Sequence, residues 1–168
     1  PEAVEKLLVE AIDMDTLQWR KSDNEAHAAN LKAPFKDAYT PDGKGPFTGW
    51  TKEMHENGQA SGIFHFKDGK LDGPVAGWHE NGQKLGETQY KNGQADGLGA
   101  NWYSNGRKAN EFRYKDGKMI SITVWKPDGD QCPVSKLVDG NGVVVEYEDD
   151  GAEGRRMTYV NGIFKEDG

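Results

Sequence analysis

The stretch HENGQ at 55–59 recurs as HENGQ at 79–83 and, more loosely, as YSNGR at 103–107. The glycine of each Asn-Gly pair stands at 58, 82 and 106, so the motif returns every 24 residues. A fixed period of this length is typical of a repeat protein, in which each unit packs on its neighbours.

A second glycine series runs between the first, with the same period. It lies in FKDGKLDG at 66–73, YKNGQADG at 90–97 and YKDGKMIS at 114–121. Asn-Gly and Asp-Gly readily reach the positive φ angles of a type I′ turn, so each pair predicts a two-residue hairpin. The sequence therefore predicts a mostly β fold, an elongated antiparallel meander of repeated hairpins.

The turns of the first series also predict which residues face each other, because a two-residue turn fixes the register of its strands. This register places an aromatic residue opposite a glycine three times. The pairs are Gly49 with Phe66, Gly73 with Tyr90 and Gly97 with Tyr114. We expect each ring to lie across the bare backbone of its glycine and to restore the missing side-chain contact.

The same register separates two faces of a single-layer sheet, which we expect to be stabilised by apolar stripes from repeat to repeat. One face carries Phe64, Phe66, Val75, Tyr90, Phe112 and Tyr114. The other face carries Met54, Ala76, Trp78, Leu85, Leu98, Trp102, Ile120 and Ile122.

Residues 1–45 form an N-terminal part that we expect to cap the array of residues 46–168. Apolar residues at helical spacing predict a short helix over 2–12, which covers the first strand; docking on a partner or on a membrane interface is the alternative. A first strand is predicted over 16–20, and a loop that can include a helical turn over 21–37.

Beyond residue 118 the period loosens. Gly129 follows Gly117 by 12 residues where the earlier interval is 13, so one residue is missing. Further strands are predicted over 134–138, 143–148, 155–160 and 163–165.

Composition restricts the classes of partner. The 168 residues carry a formal net charge of −7, which disfavours nucleic acid and anionic membrane surfaces. No run of 18 apolar residues occurs, so membrane association would need a lipid anchor upstream of Pro1. Because the chain starts at Pro1 without a methionine, we interpret it as a mature bacterial protein and favour the cell envelope over the cytoplasm.

No set of residues predicts a catalytic centre, a metal site or a cofactor site. The register places Ala60 opposite His55 and Lys84 opposite His79, so these histidines do not converge and a structural role is favoured. The single cysteine, Cys132, is interpreted as a partly buried small residue, with a reactive or intermolecular thiol as the alternative.

A row of aromatic side chains is the candidate binding surface. Its members are Trp50, Trp78, Trp102 and Trp125, together with His79 and Tyr103. An exposed aromatic row can bind a peptide, a glycan or a partner sheet, but it can equally form the apolar stripe of the sheet itself under Lys84 and Lys108.

PFTGW at 46–50, the two HENGQ motifs, KDGKLDG at 67–73 and YKNGQADG at 90–97 resemble the MORN-repeat-variant proteins of bacteria, often described as YwqK-type antitoxins. The resemblance covers roughly residues 17–168. It implies an antiparallel β-hairpin array, no catalytic centre and an interaction role, and it transfers no functional residue.

Two hypotheses of function follow. The first is a non-enzymatic repeat protein that binds another protein, with a cognate toxin as one candidate. The second is a cell-envelope protein or lipoprotein that binds a glycan, lipid or peptide through its aromatic row. Neither requires a cofactor.

Overall fold

The fold is known from a computed structural model, which describes residues 2–21 and 36–165. The helix α1 covers Glu2–Glu10, and a short 3₁₀ helix covers Met14–Thr16. The strands are β1 (Ile12–Asp13), β2 (Gln18–Lys21), β3 (Lys36–Tyr39), β4 (Gly49–Met54), β5 (Ala60–Lys67), β6 (Lys70–Trp78), β7 (Lys84–Lys91), β8 (Gln94–Trp102), β9 (Lys108–Lys115), β10 (Lys118–Val124), β11 (Lys136–Val138), β12 (Asn141–Tyr147), β13 (Glu153–Val160) and β14 (Ile163–Lys165).

Consecutive antiparallel hairpins form most of the structure. The main sheet has the order β1-β4-β5-β6-β7-β8-β9-β10, and all its neighbours are antiparallel except β1 with β4. Strands β11 to β14 form a second meander, and β2 pairs with β3. The predicted fold class, a mostly β meander of hairpins with one short N-terminal helix, is confirmed.

The start of the main sheet is covered by the segment that follows the helix. Ile12 and Asp13 pair in parallel with Thr51 and Lys52 of β4, and the Lys52 ammonium donates a hydrogen bond of 3.1 Å to the Leu8 carbonyl. The unpaired edge of β4 is therefore covered by backbone as well as by the helix. The predicted loop over 21–37 lies almost wholly outside the described residues, as does the end of the chain after residue 165.

One face of the main sheet is buried beneath both ends of the chain, so the prediction of a single-layer sheet is wrong. The N-terminal part adds Met14, Leu17 and Ala38 to the core. The second meander adds Leu137, Val144, Val145 and Met157. Between them lie the predicted residues of the first face, Phe64, Phe66, Val75, Tyr90, Phe112 and Tyr114. The two ends thus remove from water an apolar face that a bare sheet would expose.

The two glycine series form different turns, which corrects the prediction of type I′ turns throughout. In the second series, both turn residues have positive φ, as at Asp68 (49°) and Gly69 (82°), and this is the type I′ pattern. In the first series only the glycine does, as at Gly58 (80°). There the Gly58 amide bonds to the His55 carbonyl and the His55 amide to the Gln59 carbonyl, which is a type I turn followed by a glycine bulge.

The predicted register is nevertheless confirmed, because a second irregularity compensates for the longer turn. His55 faces Gln59 rather than Ala60, but Ser61 is an extra residue in β5, so the pairing of Gly49 with Phe66 is as predicted. Leu85 and Ala109 are the extra residues of the next two repeats. Gly73 with Tyr90 and Gly97 with Tyr114 are therefore also paired as predicted.

The faces predicted for Ile122 and Leu85 are wrong, and in both cases a bulge is the reason. In β6 and β8 the bulge after the type I′ turn adds two residues, which preserves the alternation of side chains. In β10 the bulge adds only one residue, Ile120, and this accounts for the glycine spacing that is one residue shorter there. A one-residue shift turns Ile122 onto the core face beside Phe112. Leu85, itself a bulge residue, packs against the core as well.

Aromatic rings do cover strand glycines, but not in the predicted pairs. Gly49 is covered by the Phe47 ring, 3.0 Å from an added Cβ, rather than by Phe66. A Cβ atom added to Gly73 would meet the imidazole of His65 at 3.4 Å rather than the Tyr90 ring, and Gly73 has a φ of 105°. Other covered glycines are Gly99, which lies directly opposite Phe112, and Gly62, where the Phe64 ring would be 2.7 Å from an added Cβ.

Gly99→Ala should test this packing. The new methyl group would overlap the Phe112 ring and stand 2.7 Å from the Glu87 carbonyl oxygen, so we expect a loss of roughly 1–3 kcal/mol in the free energy of unfolding. The measurement is urea denaturation followed by tryptophan fluorescence. Gly45→Ala is the matched control, because an added Cβ meets nothing within 4 Å there, and it should change stability by less than about 0.5 kcal/mol. Equal effects of the two substitutions would contradict the packing.

Candidate functional site

A ladder of hydrogen bonds links each first-series turn to the next repeat. Nε2 of His55 lies 2.8 Å from the Trp78 carbonyl oxygen, and Nε2 of His79 lies 3.0 Å from that of Trp102. The Tyr103 hydroxyl donates to the Trp125 carbonyl at 2.7 Å. Since a carbonyl can only accept, each imidazole carries its hydrogen on Nε2. His79 and Tyr103 therefore connect neighbouring repeats.

The turn asparagines add a second row to this ladder. The side-chain amides of Asn57 and Asn81 each donate at 2.9 Å to the carbonyl of Glu80 and of Ser104, one repeat further on. Their carbonyl oxygens accept from the amides two residues ahead, which stabilises the turn itself. The backbone at this end of the sheet is thus fixed from repeat to repeat.

The predicted aromatic row is largely covered by the side chains of the sheet. The Lys84 ammonium lies 5.3 Å from the centre of the Trp102 ring, and that of Lys108 lies 5.8 Å from the Trp125 ring. Trp50 packs on the His65 ring at 4.8 Å, and Trp78 faces Lys84 across the strands. All four tryptophans are half-buried. Two of the four rings, those of Trp102 and Trp125, thus have a lysine at cation–π distance.

A cleft of about 370 Å³ lies where the first-series end of the main sheet meets the tip of the β12–β13 hairpin. It falls in the size range of small-ligand sites, about 300–1,000 Å³. Three of the six predicted binding residues line it, namely His79, Trp102 and Tyr103, whereas Trp50, Trp78 and Trp125 do not. The other lining residues are Leu85, Asn101, Ala109, Asn110, Val124, Glu146, Tyr147, Glu148, Asp149 and Arg155.

The most deeply buried polar part of the cleft is a pair of amides. Asn101 and Asn110 face each other on β8 and β9, are 6% and 4% exposed, and share a hydrogen bond of 3.0 Å from Asn101 to Asn110. The glycine at 86 makes room for this pair, because an added Cβ there would overlap the Asn101 amide oxygen. Asn110 is the acceptor in this bond, and its own amide nitrogen donates to no residue that the structure describes.

Carboxylates surround the opening of the cleft. Asp149 accepts a hydrogen bond of 3.2 Å from the Ser104 amide, which joins the hairpin tip to the main sheet. Within residues 2–21 and 36–165, no cation pairs with Glu148 or with Asp149. The one guanidinium that lines the cleft, that of Arg155, lies 5.9 Å from the Phe164 ring. A second cation, Lys126, lies 5.5 Å from the Tyr147 ring, so the three lining carboxylates of Glu146, Glu148 and Asp149 exceed these two cations by one charge.

The two tyrosines of the cleft resist ionisation. Burial, followed by the nearby carboxylates of Asp149 and Glu146, raises the pKa of Tyr103 to about 12. The hydrogen bond with Cys132, followed by burial, raises the pKa of Tyr147 to about 12. Both phenols are neutral at physiological pH and present aromatic walls to the cleft.

Cys132 lies behind the cleft. It is 3% exposed, and its sulfur lies 3.4 Å from both the Tyr147 hydroxyl and the Ser135 amide nitrogen. Burial opposes ionisation of the thiol, but the hydrogen bonds from Ser135 and Tyr147 together lower its pKa below the ordinary value. The predicted buried position is confirmed, and the side chain packs in the core.

The sequence prediction missed the residues of the hairpin tip and the asparagine pair. The run EYEDD at 146–150 was visible as an acidic cluster, but nothing in the repeat period indicates that it lies against Ser104, 45 residues earlier. In the described ranges, no group of three His, Cys, Asp or Glu residues is placed to hold a metal ion. No helix among the described residues is long and apolar enough to cross a membrane.

Comparison of the chain with known protein families, with curated proteins and with solved structures gives no match in any of the three.

Tyr103→Phe should weaken the ladder without changing the shape of the ring. The Trp125 carbonyl would lose its donor, so we expect a loss of about 0.5–1.5 kcal/mol in the free energy of unfolding. Urea denaturation is the measurement. Tyr159→Phe is the control, since among the described residues that hydroxyl has only the Met157 sulfur, at 4.0 Å, as a partner. A loss as large in Tyr159→Phe would contradict the assignment.

The buried tyrosines should make the fold sensitive to alkali. Burial raises the pKa of Tyr90 and Tyr114 well above the value of about 10 found in unfolded chains. Because the unfolded state then loses its phenolic protons first, this stability is complete below about pH 10 and falls as the pH rises beyond it. Urea midpoints measured against pH should show the decline, and the double variant Tyr90→Phe, Tyr114→Phe should flatten it. An unchanged slope in that variant would contradict the role of these two phenols.

Proposed function

We propose that this chain is a non-enzymatic β-hairpin repeat protein that binds a protein partner at the cleft between the main sheet and the β12–β13 hairpin. A cognate toxin, as in an antitoxin-like role, is one candidate for that partner. The observation that carries the proposal is the cleft itself, which combines aromatic walls, a buried amide pair and carboxylates at its opening.

The position of the cleft favours it over the aromatic row as a whole as the binding site for the partner. Lysines already lie over the rings of Trp102 and Trp125, so a partner would have to displace them before it could stack there. The cleft also offers polar groups that no lysine covers, namely the Asn110 amide and the carboxylates of Glu148 and Asp149, and its backbone is fixed by the His79 and Tyr103 hydrogen bonds. A preorganised site binds at a lower cost in conformational entropy.

Charge supports a partner with basic residues. The chain has a formal net charge of −7, and the opening of the cleft adds Glu148 and Asp149 without paired cations among the described residues. Complementary charge steers the encounter of two proteins and selects among partners. A ligand in the cell envelope is the second hypothesis, favoured by the amides of Asn101 and Asn110, which can hydrogen-bond to sugar hydroxyls beside Trp102.

Site-specific photocrosslinking in the source organism tests the proposal. A photoreactive benzoylphenylalanine at position 152 lies beside the opening of the cleft, because the exposed Ala152 pairs with Glu148, whereas the same residue at position 98 lies on the outer face, where Leu98 is 64% exposed. We expect a protein adduct from position 152 that is weak or absent from position 98. Equal adducts from both positions, or none from 152, would contradict the proposed site.

A charge reversal supplies the quantitative form of this test with the purified partner. Glu148→Arg should weaken the complex at least about tenfold, because it places a positive charge against a basic surface. Glu111→Arg is the matched control, since Glu111 is an exposed carboxylate on β9 that does not line the cleft. Isothermal titration calorimetry gives both affinities.

A further inference from the structure

The cleft presents three kinds of group whose combination selects among ligands. The Asn110 amide is 4% exposed, lines the cleft and keeps N–H groups without an acceptor among the described residues. These N–H groups are not fully enclosed, because the Thr51 hydroxyl is the sole buried side-chain group without a partner among the described residues. They therefore open to the cleft, where a ligand group that accepts from them can replace water. A peptide carbonyl is such an acceptor, and a sugar hydroxyl is another.

The opening of the cleft distinguishes these ligands by charge. Glu148 and Asp149 lack paired cations in the described part of the chain, and the carboxylate of Asp149 is held in place by the Ser104 amide. Two carboxylates that stand close to aromatic walls favour a cation that is only weakly hydrated. The ligand that fills the cleft should therefore carry a positive charge close to a hydrogen-bond acceptor.

A guanidinium satisfies this requirement better than an ammonium ion does. It is planar, stacks on aromatic faces and offers a fork of N–H donors to carboxylates, whereas a lysine ammonium is a compact and strongly hydrated charge. Trp102, Tyr103 and Tyr147 supply the aromatic surface. Lys84 already lies 5.3 Å from the Trp102 ring and Lys126 lies 5.5 Å from the Tyr147 ring, so the guanidinium would take the place of these ammonium groups. The volume of about 370 Å³ has room for an arginine side chain together with its own peptide groups.

We propose that the cleft binds an arginine side chain from an extended segment of the partner protein, with the guanidinium against Glu148 and Asp149 and a peptide carbonyl accepting from Asn110. This inference rests on the proposed function, because it names the chemistry of the partner at the same site. Binding involves no covalent step, and each group keeps its protonation state.

The test uses small probes and the full chain. N-acetyl-arginine-methylamide is titrated into ¹⁵N-labelled protein while the side-chain amide signals of Asn101 and Asn110 are followed by NMR. We expect saturable shifts of these signals. The citrulline analogue has nearly the same shape without the charge, and it should bind at least about tenfold more weakly; the lysine analogue should also bind more weakly than the arginine probe.

Two variants make the result specific to the cleft. Glu148→Gln should weaken binding of the arginine probe about fivefold or more, whereas Glu111→Gln, the same change on the outer face, should leave it unchanged. Equal binding of the citrulline and arginine probes would overturn the inference. So would shifts of Asn110 with methyl glucoside in place of the arginine probe, which would instead assign the cleft to a saccharide.

The outcome separates this inference from the proposed function. If the partner crosslinks at position 152 but the arginine probe does not shift Asn110, the protein-binding function stands and the arginine inference is wrong. If the probe binds and Glu148→Gln weakens it, but no protein crosslinks, the guanidinium chemistry stands and the protein-binding function is wrong.

Discussion

Glycine turns with positive φ, alternating between two types, are the constraint on which the structure depends. At one end of the strands, two consecutive residues take positive φ; at the other end, only the glycine after a type I turn does. Each turn then bonds to a neighbouring repeat. At one end the turn amide bonds to the preceding repeat, as from Gly93 to the Leu71 carbonyl, and at the other end a side chain bonds to the following repeat, as from His79 to the Trp102 carbonyl. A substitution that removes the positive φ would therefore affect two repeats.

The register could be read from the sequence because two deviations cancel. The longer turn at His55–Gln59 displaces the pairing by one residue, and the bulge at Ser61 displaces it back. The face of Ile122 could not be read in the same way, since it depends on how many residues the β10 bulge contains. The missing residue was visible in the glycine spacing, but its position within the strand was not. The cover of the core by Val144 and Val145 is a long-range contact that periodicity does not encode.

Three of the six predicted binding residues line the cleft, and they could be predicted for the same reason as the fold. His79, Trp102 and Tyr103 belong to the 24-residue period, so their common end of the sheet follows from the turns. Glu148 and Asp149 lie in the divergent part of the chain, and only folding of the second meander against the main sheet brings them to Ser104. The sequence also predicts, as an alternative to binding, that Lys84 and Lys108 cover the aromatic row, and both lysines lie at cation–π distance from a Trp ring.

The one-residue shift in β10 has a consequence for how the molecule could change in length. Upstream of it, a whole unit of 24 residues brings its own pair of turns and preserves the alternation of faces, so duplication of a unit would widen the main sheet by two strands, roughly 10 Å. Downstream, the inverted alternation ties β10 to the second meander. The last repeat and its cleft are therefore fixed to the second meander, whereas an inserted unit would add apolar face between the two ends of the chain that cover it.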